Sequence, residues 1–142
     1  MTSRADIITE ARRWVGTPFR HQGRVRGRAV DCAGLIIGTG LATGIIDGYQ
    51  EIGYGRQPNP ERMGGHLDQW MERIPVSEAR DGDVYWFRFI QPMHVGFAST
   101  LPDGRAGVIH AWQDIGRCVE HGLDDTWRRR IVAAFRFHGV TD

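Results

Sequence analysis

Apolar residues near the N-terminus return every three or four positions. Ile7, Ile8, Ala11, Trp14 and Val15 fall on one face at helical spacing. Ser3 stands where an N-cap is needed, and Asp6 three residues on completes a capping-box-like pair. Gly16 ends this helix, and "GTPFRHQGRVRGRA" (16–29) reads as a loop with basic decoration. A second helix is expected to begin near Asp31 and to carry Leu35, Ile36 and Leu41. Its glycines, Gly34, Gly38 and Gly40, each cost roughly 1 kcal/mol against alanine in a helix. That cost predicts close packing against another backbone. Residues 47–60, with Gly53, Gly55, Pro58 and Pro60, predict an irregular loop. "PERMGGHLDQWMERI" (60–74) predicts a third helix, interrupted at Gly64 and Gly65.

After Pro75 the pattern shortens. "DVYWFRF", "MHVGFAST", "AGVIHAW" and "RIVAAFRF" are rich in Val, Ile and aromatics, and turn residues such as "ARDGD" and "LPDGR" bound them. The chain therefore predicts an α+β architecture: N-terminal helices packed on a C-terminal antiparallel β-sheet. It is read as one domain over 1–142, with no internal repeat and no linker.

Composition narrows the classes. A chain of 142 residues with 41% apolar and 25% charged residues is globular rather than disordered. The net charge of +1 gives no reason to expect a nucleic-acid partner, although all 18 basic residues are arginine. No apolar run reaches the length of a membrane span, so none is expected. "MTSRADIITEARRW" lacks the basic-then-apolar order of a secretory signal. The expectation is synthesis in the cytoplasm without a signal peptide, the product staying there or leaving by a non-secretory route. Cys32 and Cys118 are then read as free thiols, Cys118 as structural or incidental.

Cys32 is the first candidate for chemistry. At the first turn of a helix a cysteine meets unpaired backbone N–H groups and the positive end of the dipole, which favour thiolate over thiol. Asp31 is the expected N-cap of that helix. The glycine-rich helix would also let Cys32 approach the sheet that must supply a base. The plainer alternative is that Cys32 is a small buried hydrophobe, as most free cysteines are.

The base is sought among six histidines: His21, His66, His94, His110, His121 and His138. A single histidine is usually a surface or satisfied polar group. His94 and His110 differ because both stand inside strand-like segments. Between those segments, Pro102, Asp103 and Gly104 fit a three-residue hairpin loop ending in a left-handed glycine. Leu101 then faces Arg105, His94 faces Trp112, and His110 faces Gly96. His94 and His110 become diagonal neighbours on one face, about 7–8 Å apart at Cα. A two-residue loop would put them on opposite faces. One imidazole, His94, can take the Cys32 proton, while His110 holds it in the right tautomer and orientation.

Along the chain, five segments resemble the NlpC/P60 cysteine peptidases, which are papain-like in fold and cleave cell-wall peptides. "WVGTPFRHQG" resembles their W-x-G-T-P-Y loop and "DCAGLI" their D-C-S-G-L/F nucleophile motif. "RDGDVYWFR" resembles P-G-D-L-V-F-F, "HVGFA" resembles H-V-G-I-Y, and "VIHAW" resembles the strand carrying the third polar residue. The likeness covers roughly residues 7 to 137. "GTPFRHQGRVRG" and "LDDTWRRRIVAAFRF" further resemble a subgroup found at the tail tips of phages and gene transfer agents. The resemblance implies Cys32 as nucleophile, His94 as general base and acid, and His110 as third member, with no cofactor. It implies an amide bond of a peptidoglycan stem peptide as target, often between the γ-carboxyl of D-glutamate and a diamino acid. It also implies phage-like tail-tip or hub proteins as partners, with action in the cell envelope.

The backbone N–H of Cys32 and a second donor would meet the oxyanion; His21 and Gln22 are the candidates, by loop position. Three departures stand out: Ala33 for serine, Phe19 for tyrosine, and "QPM" with a long gap before His110. Arg128 to Arg130 are read either as a grip on acidic wall polymer or a neighbouring tail subunit, or as a solvated turn. Trp70, Trp86, Trp112 and Trp127 read as core or groove wall. Two other classes remain at this level. One is a structural tail-tip or hub protein with an idle peptidase domain. The other is a zinc site from Cys32, His94 and His110, whose spacing lacks the usual close pair of ligands.

Overall fold

The structure, a computed structural model, describes residues 1–47, 69–89 and 93–142. Helix α1 (Arg4–Arg13) is started by the expected capping box. Asp6 N–H donates to Ser3 Oγ at 3.0 Å, and Ser3 N–H donates to the Asp6 carboxylate at 2.9 Å. Ile7, Ile8, Ala11 and Trp14 are buried, whereas Val15, expected on the same face, is 44% exposed. Val15 follows the C-cap at Trp14, where helical periodicity no longer places side chains. The 16–29 stretch is more ordered than a loop: β1 (Arg24–Val25) and β2 (Ala29–Val30) pair as a small antiparallel hairpin.

Helix α2 (Cys32–Thr43) begins one residue after its N-cap, Asp31, and ends at Gly44 in the left-handed region. A Cβ at Gly34 would overlap the carbonyl oxygen of Gly23, so here the predicted backbone-to-backbone approach is real. Gly38 and Gly40 instead make room for side chains, the Trp14 ring and Ile46 respectively. None of these three glycines turns to the sheet among its nearest neighbours, which corrects the reason given for them. Leu35 and Ile36 are buried in the cluster that also holds Val95, Phe97 and Ile109.

Among the described residues the main sheet has six strands, all neighbours antiparallel. These are β3 (Met71–Ile74), β4 (Val84–Arg88), β5 (Met93–Thr100), β6 (Ala106–Trp112), β7 (Arg117–Gly122) and β8 (Ile131–Phe137), in the spatial order β3-β8-β4-β5-β6-β7. A single helical turn, α3 (Asp125–Arg128), capped by Asp124, joins β7 to β8. Strand β3 overturns the end of the helix expected over 60–74. Met71 and Ile74 are buried and Glu72 and Arg73 exposed, a three-residue spacing that mimics a helix face. The strand is fixed by pairing with β8, from Met71 opposite Phe137 to Ile74 opposite Ala134. Residues 69–70 of that helix form a turn; its residues 60–68, including His66, the loop over 47–60 beyond Asp47, and Gln91 and Pro92 of the "QPM" stretch lie outside the described residues.

The sheet carries a different cluster on each face. Val84, Val95, Phe97, Ile109, Ala111, Ala133, Phe135 and Phe137 join α1 and α2 in one. Tyr85, Phe87, Ala98, Val108 and Ala134 form the other, with Phe89 and Trp127 against it. Asp83, buried just ahead of β4, holds Arg4 at 2.9 Å and Arg136 at 3.0 Å, tying α1 to the sheet. No helix among the described residues is long and apolar enough to cross a membrane.

Candidate active site

Asp31 is 3% exposed and both its carboxylate oxygens are used. One accepts from Gly34 N–H at 2.7 Å as the N-cap, and the other accepts from Gln22 N–H at 2.7 Å. The cap thus clamps the loop before β1 onto the start of α2. Gln22 has a left-handed backbone, φ +61°, a conformation costing a non-glycine residue roughly 1–2 kcal/mol. Its backbone N–H, committed to Asp31, is engaged rather than free for an oxyanion. Gln22 and His21 are both exposed. Phe19, in the tyrosine position of the motif, is half-buried against the helix-side cluster, and its N–H donates to Gly116 O at 2.8 Å.

Cys32 opens α2 and is 8% exposed, with its sulfur next to the backbone N–H of Val95. Burial pushes its thiol up to about 12, and the charge of Asp31 adds to that; the N–H groups of Val95, Ala33 and Cys32 itself pull the other way and lose. The expectation of a standing thiolate is therefore corrected. The helix N-terminus acts in the predicted direction, but desolvation outweighs it. Cys118 in β7 is free, fully buried and likewise pushed up to about 12 by burial.

The β5–β6 hairpin adopts the expected register. Phe97 faces Ile109 and Thr100 faces Ala106, Leu101 N–H donates to Arg105 O, and Gly104 is left-handed. Carried on, this register sets Gly96 opposite His110, and a Cβ at Gly96 would sit 2.9 Å from His110 Cβ. His94 and His110 share a face, and His94 Nε2 lies 2.7 Å from His110 Nδ1. The sequence expectation is met for this pair. Both rings are buried and held neutral. Burial pulls His94 well below its ordinary value of 6.5, with the His110 ring adding to it, and takes His110 down to about 3, with the ring of His121 adding there.

Cys32 and the rings approach β5 from different sides. The thiol belongs to the helix-side cluster, and the rings lie with Phe87 and Trp127 on the other face. They meet at consecutive residues of one strand, His94 and Val95. Among the described residues the Cys32 thiol makes no hydrogen bond to either ring.

His121 escaped the sequence reading. Its Nε2 lies 2.8 Å from His110 Nε2, and its Nδ1 donates to Gly122 O at 2.8 Å. Strand β7, "RCVEHG", is charged and weakly alternating, so it carried no strand signal. The only available clue was a third histidine eleven residues after His110. Around the rings stand Phe87, Phe89, Trp112 and Trp127. Trp127 meets His110 at 4.8 Å and Trp112 meets His94 at 4.9 Å, both edge to face. These tryptophans are the wall the sequence suggested. Arg130 stacks on Phe89 at 4.6 Å, while Arg128 and Arg129 donate to the carbonyls of Leu123 and Asp125. Among the described residues no group of three or more His, Cys, Asp or Glu is arranged to hold a metal ion.

No protein-family model and no curated protein matches the chain. Solved structures do. The NlpC/P60 domain of the peptidoglycan hydrolase SagA aligns at TM-score 0.63 and 23% identity, covering 96% of this chain and 100% of that one. A lipoprotein-like NLP/P60 protein of Staphylococcus aureus aligns at TM-score 0.65 and 19% identity over 98% of this chain. An NlpC/P60 protein of Bacillus cereus aligns at TM-score 0.66 and 18% identity over 95% of it. The chain spans 42% and 40% of the length of these last two. With α1 and α2 on one face of a sheet that has six antiparallel strands among the described residues, the chain has the NlpC/P60 fold.

Proposed function

We propose that this protein hydrolyses amide bonds in peptidoglycan stem peptides, with Cys32 as nucleophile, His94 as general base and acid, and His110 as its orienting partner. The observation that carries the proposal is the buried 2.7 Å bond between His94 and His110, on the strand whose next residue, Val95, meets the sulfur of a helix N-terminal cysteine. The resting pair is neutral, thiol and imidazole. Catalysis therefore begins with His94 taking the thiol proton as sulfur bonds to the scissile carbonyl carbon and the carbonyl electron pair moves to oxygen. Collapse breaks the C–N bond, His94 gives its proton to the leaving amine, and a thioester remains. Water, deprotonated by His94, then releases the acid and restores the thiol. Hydrogen bonds of this kind are commonly long in an unliganded site and tighten around substrate.

The protein is carried at the tip of a phage or phage-like tail, bound to tail-tip or hub proteins, and acts in the cell envelope. The likeness of residues 16–27 and 123–137 to that subgroup supports this placement. Mass spectrometry of purified tail particles tests it. A second reading, a structural tail-tip protein with an idle site, is favoured by the strongly raised Cys32 thiol and its lack of a bond to His94. Incubation with defined stem peptides separates the two. The proposal expects new amine and carboxyl products with the native protein and none with Cys32→Ala. Identical mass spectra for both proteins, with no cleavage, would leave the idle reading standing.

A further inference from the structure

His110 spends both ring nitrogens on other histidines, His94 on one side and His121 on the other. The geometry repeats across the sheet. In the β6–β7 register Val108 faces His121 and His110 faces Val119, so His110 and His121 are diagonal neighbours, as His94 and His110 are. Trp127 lies against both rings, at 4.8 Å from His110 and 5.3 Å from His121.

The far end of this series decides its direction. His121 Nδ1 ends on the carbonyl oxygen of Gly122, which has no proton to give. His121 therefore carries its proton on Nδ1. A neutral imidazole has one N–H, so His121 Nε2 is a lone pair that accepts from His110 Nε2–H. His110 Nδ1 is then a lone pair in turn, and it accepts from His94 Nε2–H. Proton counting leaves His94 Nδ1 unprotonated, and among the described residues nothing hydrogen-bonds to that atom.

From this geometry we infer that His121 is a positioning residue: anchored on Gly122 O, it fixes the tautomers of His110 and His94 and keeps His94 Nδ1 open to receive the Cys32 proton. The tautomers follow from the hydrogen bonds with all three rings neutral; their catalytic meaning rests on the Cys32–His94–His110 reading. Without an acceptor at position 121, His110 has no reason to keep its proton on Nε2. It can then donate from Nδ1 to His94 Nε2, which moves the His94 proton to the very nitrogen that should be free.

Histidine ¹⁵N–¹H correlation spectra of the full chain test this. In the native protein His94 and His110 should be protonated on Nε2 and His121 on Nδ1. His121→Phe should shift His94 toward the Nδ1–H form and lower kcat/KM on stem peptides by about 10- to 100-fold, the range typical of a lost outer partner. His121→Gln, whose amide oxygen accepts, should restore the native His94 tautomer. A native His94 protonated on Nδ1 overturns the inference, and so does a His94 tautomer unchanged in His121→Phe. The native spectrum decides even if the Phe variant fails to fold. These spectra are read on the resting protein, so they stand apart from whether Cys32→Ala loses cleavage.

Discussion

The two cysteines offer an internal comparison at the scale of single residues. Burial raises both thiols to about 12, so neither forms thiolate unaided at neutral pH. Cys118 faces Ala111, next to His110, and Cys32 meets Val95, next to His94, so strand position alone does not separate them; the proposed mechanism does, because it gives the Cys32 proton to His94, whose ring is neutral and able to accept it. Iodoacetamide should therefore modify Cys32 faster than Cys118 at pH 7, and His94→Ala should remove the difference. Equal, slow labelling of both in the native protein, followed by mass spectrometry of the two peptides, would contradict a base at His94. Residue types and turn chemistry made Cys32, Asp31, His94 and His110 legible in the sequence. The balance between helix N–H groups and desolvation was not legible, because it depends on how deeply α2 is buried. His121 was hidden for a related reason: its strand is held by pairing with β6 rather than by its own apolar pattern.

Individual elements show where local pattern suffices and where pairing decides. The capping box of α1 and the N-cap of α2 were readable because both depend on residues three apart. Met71 and Ile74 misled because three residues also separate the two buried ends of a short strand. In α2 the glycine puzzle resolves position by position, and Gly34 is the sharpest case. Its Cβ would collide with a backbone carbonyl of the neighbouring hairpin, which cannot rotate away as a side chain can. Gly34→Ala should destabilise the protein even though alanine favours helix by roughly 1 kcal/mol. The urea midpoint should fall, and a midpoint at or above the native value would refute the close approach. The same substitution displaces the segment that Asp31 holds through Gln22, so any cleavage activity should fall with it.

For the molecule as a whole, the buried titratable groups define a pH window. The folded-state values of His94 and His110 lie below their ordinary 6.5, so the unfolded chain binds protons first as pH falls. Stability they contribute is present above 6.5 and is lost on acidification, for His110 down to about 3. The two thiols run the other way. Their folded values lie above the ordinary 9.0, so the unfolded chain loses protons first, and stability declines between 9 and about 12. Denaturation midpoints should form a plateau between roughly pH 6.5 and 9 and fall on both sides. A midpoint that climbs as pH drops from 6.5 to 4.5 would mean the rings are charged in the fold. The overall architecture, helices first and antiparallel sheet after, was legible because the hydrophobic period changes from helical to short strand-like runs near Pro75. Strand order was not, because β8 enters between β3 and β4 from the far end of the chain.

The three-residue tip of the β5–β6 hairpin, Pro102 to Gly104, lies roughly 26 Å along the strand from His94, at about 3.3 Å per residue. It touches no part of the site, yet its length is a parity condition on the chemistry. Deleting Asp103 should slip one strand past the other by a single step and send the two imidazoles to opposite sides of the sheet, abolishing their bond although no reactive residue has been removed. Surface turns ordinarily tolerate such edits; this one tolerates them only in pairs.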